Sequence, residues 1–216
     1  FVCTPVKTIQ FILSDLKKYL APQTLVTDVG STKQEIVKKT QQVGLKNFIG
    51  GHPIAGTEKS GMKAAQLNLF KNKKWIFTPD NKTNSSSLKL LELIVQKFGA
   101  KVELMKAKDH DALFAAFSHV PNLLSYTLAA SINDKKLISK LIFAGSSLRD
   151  MTRLAESPVE MWRDIALSNS GEILLSLEKL EKKIGILKQA LTKKDVRNLE
   201  KVLREGQGVR GKIVPS

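Results

Sequence analysis

The fold of this chain is decided by residues 47–61, which read NFIGGHPIAGTEKSG. The first three residues form a short apolar run typical of a strand, and His52 follows between a glycine pair and a proline. Open α/β sheets place their chemistry at the carboxyl ends of strands, and an imidazole exchanges a proton near neutral pH. We therefore expect His52 to act on a turn at a sheet edge. A Gly-Pro turn with an incidental histidine is the alternative.

Strands and helices alternate on both sides of this stretch. The patterns predict strands at residues 1–3, 24–28, 47–50, 75–78 and 101–105, and helices at 6–20, 31–43 and 88–98, the last ended by Gly99. Such alternation is typical of a parallel sheet with helical crossovers.

After about residue 107 only helical patterns follow. They predict a helix capped by Asp109 and kinked at Pro121, further helices at 137–143 and 158–167, a long helix packed against another over 173–191, and a shorter one over 196–203. We therefore expect an α/β part at residues 1–105 and an all-helical part at residues 106–216.

Composition limits the class of protein. With 42% hydrophobic and 25% charged residues among 216, the chain is globular. The single cysteine, Cys3, excludes an internal disulfide framework and favours a reducing cytoplasm. The uncharged run 112–133 is long enough to span a membrane, but polar residues in its middle favour a buried helix instead.

The net charge of +15 raises the possibility of nucleic-acid binding. The lysines of the chain are scattered over many predicted helix faces. The few aromatic residues do not alternate with basic stretches, as they would in a surface that stacks on nucleic-acid bases. We expect an anionic small substrate or a solvated basic surface, with no nucleic-acid or membrane partner. A basic helical nucleic-acid-binding module is the remote alternative.

Two further loops open on the expected edge of the sheet. Residues 27–33, TDVGSTK, end a strand at Asp28, turn at Gly30 and begin a helix at Ser31 or Thr32. Helix capping alone would explain these residues. With residues 4–5 and the loop at His52, however, three loops converge there, which makes a site plausible.

Other motifs carry weaker signals. Arginines in the polar segments 144–153 and 161–164 are candidates for binding a carboxylate, and ion pairs with neighbouring aspartates are the alternative. The histidines lack metal-ligand spacing, so no metal site is expected. Residues 206–211, GQGVRG, match a dinucleotide-binding fingerprint, but they follow a helix and are expected to form a flexible tail.

Six blocks occur in order: DVGSTK at 28–33, GGHPIAGTEKSG at 50–61, HD at 110–111, SHVP at 118–121, RDMTR at 149–153 and MWRD at 161–164. In these blocks the chain closely resembles the prephenate/arogenate dehydrogenase family of tyrosine biosynthesis. The resemblance implies the C-terminal part of a Rossmann-like dinucleotide-binding domain at 1–105 and a helical dimerisation domain at 106–216. It also implies NAD or NADP as cofactor and a cytoplasmic homodimer. The Gly-rich loop that opens such a domain is absent here, so sequence before Phe1 is expected.

Family chemistry is the oxidative decarboxylation of prephenate to 4-hydroxyphenylpyruvate, or of arogenate to tyrosine, with hydride transfer to NAD(P). By resemblance His52 is the general base, and Ser31 holds it in register with substrate and nicotinamide. The implied cofactor contacts are Thr4, Pro5, Gly30 and Ser31. The implied substrate contacts are Arg153, Thr57, Glu58, Ser118, His119, Asn122, Trp162 and Arg163.

One position departs from the family pattern. Many prephenate-specific members carry a second histidine where this chain has Asn122. An amide forms hydrogen bonds but bears no positive charge, so arogenate stays open as the substrate. We favour prephenate because prephenate dehydrogenase is the broader family name for this set of motifs.

Overall fold

The computed structural model describes residues 1–56 and 65–213. Thr57 and Glu58, two of the expected substrate contacts, lie outside the described residues. The chain divides into two compact units, residues 1–173 and 174–216. The division at residue 105 expected from the sequence stays a prediction.

A four-stranded sheet forms the centre of the first unit. Its strands are β1 (Val26–Thr27), β2 (Phe48–Pro53), β3 (Lys74–Thr78) and β4 (Lys101–Leu104), hydrogen-bonded in that order. β1 and β2 are parallel, as are β3 and β4, and a parallel bridge from Val2 to Asp28 adds the N-terminal segment beside β1.

The sheet is mixed, because β2 and β3 run antiparallel. The expectation of a wholly parallel sheet was wrong at this pair. Parallel neighbours need a crossover, usually a helix, and the described part of the connection, residues 54–56 and 65–73, contains turns and no helix. His52 pairs with Ile76 in this ladder, so it lies within β2 and not on a turn after it.

Three helices accompany the sheet: α1 (Val6–Leu16), α2 (Gln34–Val43) and α3 (Ser85–Lys97). The helix α3 begins earlier than predicted, because the Asn84 side chain accepts hydrogen bonds from the amides of Ser86 and Ser87. The helix stops at Gly99, as predicted, where the backbone has φ 81°.

Two apolar clusters hold these elements together. One combines α1, β1 and α2 with Trp162 and Ile165 of the later helix α8 (Val159–Ser168). The other joins Ile49, Trp75 and Phe77 of β2 and β3 to α3. Since Trp162 belongs to the first cluster, the helical part of this unit packs directly on the α/β part.

The helical part opens with α4 (Ala107–Phe114), a π-helical turn (Ala115–His119) and α5 (Val120–Ser131). Asp109 lies in the first turn of α4, and the capping position is Lys106, so the predicted cap was misplaced. Pro121 is in the first turn of α5, where proline needs no hydrogen bond from its nitrogen. Shorter elements follow: α6 (Lys135–Ile138), a 3₁₀ turn (Leu141–Phe143), α7 (Ser146–Thr152) and a 3₁₀ turn (Arg153–Glu156).

The second unit contains most of α9 (Ser170–Thr192) and all of α10 (Val196–Arg210). Lys183 and Glu205 form an ion pair 2.5 Å long within it. The glycine motif beginning at Gly206 continues α10, so the expected flexible tail was wrong. None of the described helices combines the length and apolar character needed to cross a membrane.

Candidate active site

His52 lies half-buried near the end of β2. Its Nδ1 is 2.8 Å from Nε2 of His110, and its ring stacks at an angle on Phe114, with the ring centroids 4.9 Å apart. Both contacts come from α4. The strand and the first helix of the helical part therefore meet at this imidazole.

His110 and Asp111 are fully buried. Nδ1 of His110 is 2.7 Å from Oδ1 of Asp111. The same carboxylate accepts hydrogen bonds of 2.8 Å from the backbone amides of Lys33 and Gln34, at the start of α2. A helix N-terminus stabilises an anion, so this arrangement holds Asp111 as a carboxylate.

A buried ion pair supports the backbone beside His52. The Lys33 ammonium, completely buried, donates to the Asp28 carboxylate and to the carbonyl oxygen of Gly51, 2.6 Å away. Asp28 in turn accepts hydrogen bonds from the amides of Gly30, at 2.8 Å, and Gly51, at 3.0 Å. The backbone N–H and the carbonyl oxygen of Gly51 are thus both hydrogen-bonded to one ion pair.

These surroundings keep the His52 ring neutral. Burial lowers its pKa well below the usual 6.5, and the positive charges that His110, Lys33 and His119 can carry lower it further. Burial also lowers the pKa of His110, against the opposing effect of Asp111. An unprotonated imidazole at neutral pH can accept a proton.

A second buried group lies on the π-helical turn. Nδ1 of His119 is 3.1 Å from Nδ2 of Asn169, which also donates to the backbone oxygen of Asp111 at 2.8 Å. Burial lowers the pKa of His119 to about 4. Trp162 meets the His119 ring edge-on, with the centroids 6.1 Å apart.

Ser118 lies in the same π-helical turn, and Asn122 lies in the first turn of α5. The Asn122 side chain is buried, and its Nδ2 donates to the Ser118 carbonyl oxygen at 3.2 Å. Its Oδ1 is buried without a hydrogen-bond partner in the part of the chain that is described. An acceptor oxygen in this state is suited to a donor from a ligand.

The residues expected to contact a cofactor lie on two loops. Ser31 and Gly30 belong to the β1–α2 loop. A Cβ at residue 30 would come within 2.9 Å of Asp28 Oδ2 and 3.0 Å of Ile9 Cδ1, so close packing requires this glycine. Pro5 precedes α1, which has no side-chain cap, and the buried Thr4 hydroxyl has no partner among the described residues.

The arginines are on the surface of the single chain. Arg153 is exposed on its 3₁₀ turn and forms no ion pair within residues 1–56 and 65–213. Arg163 forms an ion pair of 2.8 Å with Asp164, and its Nε donates a hydrogen bond of 2.9 Å to the same carboxylate, which agrees with the structural alternative for that side chain. The structure therefore groups His52 and His119 around the pair His110 and Asp111, and within the described part of the chain no contact joins Arg153 to them.

The sequence assigned no role to several residues of this cluster: Asp28, Thr32, Lys33, His110 and Asp111, which lie in the blocks that carry the resemblance, and Ser168 and Asn169, which lie outside them. Thr32 and Ser168 share a hydrogen bond of 3.0 Å between their hydroxyls. For His110 and Asp111 a signal existed, because an imidazole and a carboxylate are adjacent in sequence. Nothing local distinguishes Asn169, and the block at 28–33 gives no sign that the Lys33 side chain is buried.

Comparison with known proteins decides the family. A family model described as "Prephenate dehydrogenase, nucleotide-binding domain" matches residues 1–104, and "Prephenate dehydrogenase, dimerization domain" matches residues 106–205. The chain belongs to the prephenate dehydrogenase family. The resemblance and the fold class expected from the sequence are thereby confirmed: a Rossmann-like nucleotide-binding domain is followed by a helical domain.

Individual members of the prephenate dehydrogenase family support this assignment. Prephenate dehydrogenase of Bacillus subtilis is 32% identical over 97% of this chain and 58% of its own length. The structure of prephenate dehydrogenase from Aquifex aeolicus, in complex with hydroxyphenyl propionate and NAD+, is 34% identical, with a TM-score of 0.91 over 98% of this chain and 75% of that one.

A third similar protein bears the name of the other substrate. The structure of Synechocystis arogenate dehydrogenase is 31% identical, with a TM-score of 0.85 over 98% of this chain and 77% of that one. The chain spans little more than half the length of the first curated relatives that it matches.

Proposed function

We propose that this protein is an NAD(P)-dependent dehydrogenase that oxidatively decarboxylates prephenate to 4-hydroxyphenylpyruvate. The observation that carries the proposal is the neutral imidazole of His52, held at the end of β2 by His110. In the proposed reaction, His52 accepts the proton of the ring hydroxyl as a general base. The ring carbon loses a hydride, and carbon dioxide leaves as the ring becomes aromatic.

We propose that the cofactor binds at the carboxyl ends of the N-terminal segment and of β1. The buried Thr4 hydroxyl lacks a partner among the described residues, and the uncapped N-terminus of α1 follows at Pro5. We propose that Thr4, Pro5, Gly30 and Ser31 hold NAD or NADP, whose nicotinamide would accept the hydride. Ser31 would hold the substrate hydroxyl in register with His52.

We propose that the substrate lies between this edge and the helical part. Arg153 would bind a carboxylate of the substrate through its guanidinium. The other proposed contacts are Thr57, Glu58, Ser118, His119, Asn122, Trp162 and Arg163. The Asn122 Oδ1, which has no partner within residues 1–56 and 65–213, supports arogenate as the second candidate, because the arogenate ammonium would donate to it.

An assay of the full-length protein with prephenate and arogenate, each with NAD and NADP, tests the proposal through the absorbance of the reduced cofactor. We expect His52→Asn to remove most turnover and to leave substrate binding, measured by calorimetry, largely intact. Lys108→Gln, an exposed change on α4, is the control and should keep full activity. No reduction of either cofactor with either substrate, or normal turnover by His52→Asn, contradicts the proposal.

We also propose a cytoplasmic homodimer, in which residues 1–105 bind nucleotide and residues 106–216 form the dimer. The description of the matching family model supports the dimer. So do the large apolar side chains exposed in this part of the single chain, among them Ile142 and Phe143. Sedimentation at several concentrations should give a dimer that Ile142→Asp weakens; a monomer at every concentration contradicts it.

A further inference from the structure

We propose that His110 and Asp111 are positioning residues that hold His52 as the tautomer protonated on Nδ1, which makes Nε2 the nitrogen that accepts a proton. This inference rests on the proposed function only for its effect on turnover. The tautomer itself follows from the hydrogen bonds that connect the half-buried His52 to the buried His110 and Asp111.

Asp111 determines which nitrogen of His110 carries a proton. Its carboxylate accepts hydrogen bonds from two backbone amides at the start of α2, and the side chains of Lys33 and His110 both lie close to it. A carboxylate in these surroundings only accepts hydrogen bonds. The hydrogen bond of 2.7 Å between Asp111 Oδ1 and His110 Nδ1 therefore requires the proton to be on His110 Nδ1.

The tautomer of His110 then determines that of His52. Burial disfavours the doubly protonated form of His110, so its Nε2 carries a lone pair. That lone pair is 2.8 Å from Nδ1 of His52. Two acceptor nitrogens cannot share a hydrogen bond, so the proton between the rings belongs to His52 Nδ1, and the lone pair of His52 is on Nε2.

The charged groups around the two rings reinforce this arrangement. Asp111 and Asp28 favour a positive charge on His110, whereas Lys33 opposes it. Lys33, His110 and His119 all disfavour a second proton on His52 in the resting protein. When His52 accepts the substrate proton on Nε2, the proton on Nδ1 stays in place, and the hydrogen bonds to His110 and Asp111 orient the imidazolium.

Nitrogen-15 NMR of the histidine rings tests the tautomer without any assay of activity. The chain has only three histidines, so single substitutions assign every ring nitrogen. At neutral pH we expect a protonated Nδ1 and an unprotonated Nε2 for His52. A protonated Nε2 on the neutral His52 ring overturns the inference.

Two substitutions of one residue test the effect on turnover. His110→Leu removes the acceptor, and we expect an Nε2-protonated form of His52 to appear while kcat falls by about 10- to 100-fold and KM changes little. His110→Gln keeps an acceptor oxygen and should recover most of the lost kcat and the original tautomer. Where the leucine variant does not fold, the wild-type spectrum and the glutamine variant decide.

The two proposals can fail separately. If His110→Leu changes the tautomer and leaves kcat unaltered while His52→Asn is inactive, the positioning role is wrong and the dehydrogenase proposal stands. If the tautomer is as expected but His52→Asn keeps full turnover, the assignment of His52 as the base is wrong.

Discussion

The ammonium nitrogen of Lys33 donates a hydrogen bond to the backbone oxygen of Gly51, 2.6 Å away and one residue before His52. Asp28, the ion-pair partner of Lys33, accepts from the amide nitrogen of the same glycine. The strand that carries the imidazole is therefore tied through both backbone polar groups of Gly51 to a buried pair of charges. The precision of the candidate site depends on this pair remaining intact.

Replacing Lys33 by methionine should strongly destabilise the protein. The substitution leaves Asp28 as a buried carboxylate without its counter-ion, which typically costs about 3–5 kcal/mol of unfolding free energy. Urea unfolding measures the loss. Lys74→Met is the matched control, because its ion pair with Glu103 is exposed and should contribute about 1 kcal/mol or less. Equal losses for the two variants would contradict the stabilising role of the buried pair.

Replacing Gly51 by alanine should also destabilise the protein, through crowding. A Cβ there would lie 2.6 Å from the Asp28 carbonyl oxygen and 2.8 Å from Thr27 Oγ1. Overpacking of this kind costs about 1–3 kcal/mol, which chemical denaturation followed by tryptophan fluorescence can measure. The opposite sign is expected for Gly185→Ala on α9, where no described atom lies within 4 Å and alanine favours a helix by about 1 kcal/mol. A stabilising Gly51→Ala would refute the predicted crowding.

Acid should destabilise the protein partly through His119. Its folded-state pKa of about 4 is below the usual 6.5, so the unfolded chain binds more protons between these values. Stability therefore falls as the pH drops from 6.5 towards 4. At about 1.4 kcal/mol per pKa unit the effect of this shift is about 3.5 kcal/mol. His110 opposes protonation of His119, and Asp111 favours it.

Urea unfolding at a series of pH values measures this effect, with His119→Gln for comparison. The variant should lose less stability on acidification than the wild type. Some dependence should remain, because His52 and His110 also have lowered pKa values. Identical pH profiles for the two proteins would exclude His119 as a source of the acid sensitivity.

The strand that leads to His52 could be predicted, because an apolar run before paired glycines is a local pattern, but its extension through His52 to Pro53 could not. The direction of β3 could not, since the composition of a strand does not record which way it runs. The same limit applies to Lys33, one of 35 basic residues in the chain. Its burial depends on Gly51, 18 residues further along the chain, and no periodicity encodes that contact.

The resemblance in sequence named the base and its neighbours, but it did not connect them. His110 is 58 residues from His52, and the hydrogen bond between them exists only because α4 packs against the end of β2. The roles of Ser31, Arg153 and the other expected contacts stay predictions. Thr57 and Glu58, which lie outside the described residues, share that status.

The π-helical turn at residues 115–119 sets the rotational phase of everything after it. Nine residues separate His110 from His119, which in a regular α-helix is two and a half turns and would put the two rings on opposite sides. The wider turn reduces that rotation, and Asn169 bridges Asp111 and His119 on a common side. A π-helical turn amounts to one residue inserted into an α-helix. Deleting a single residue within this turn would therefore restore regular winding and leave His119 on nearly the same side, facing Asn169.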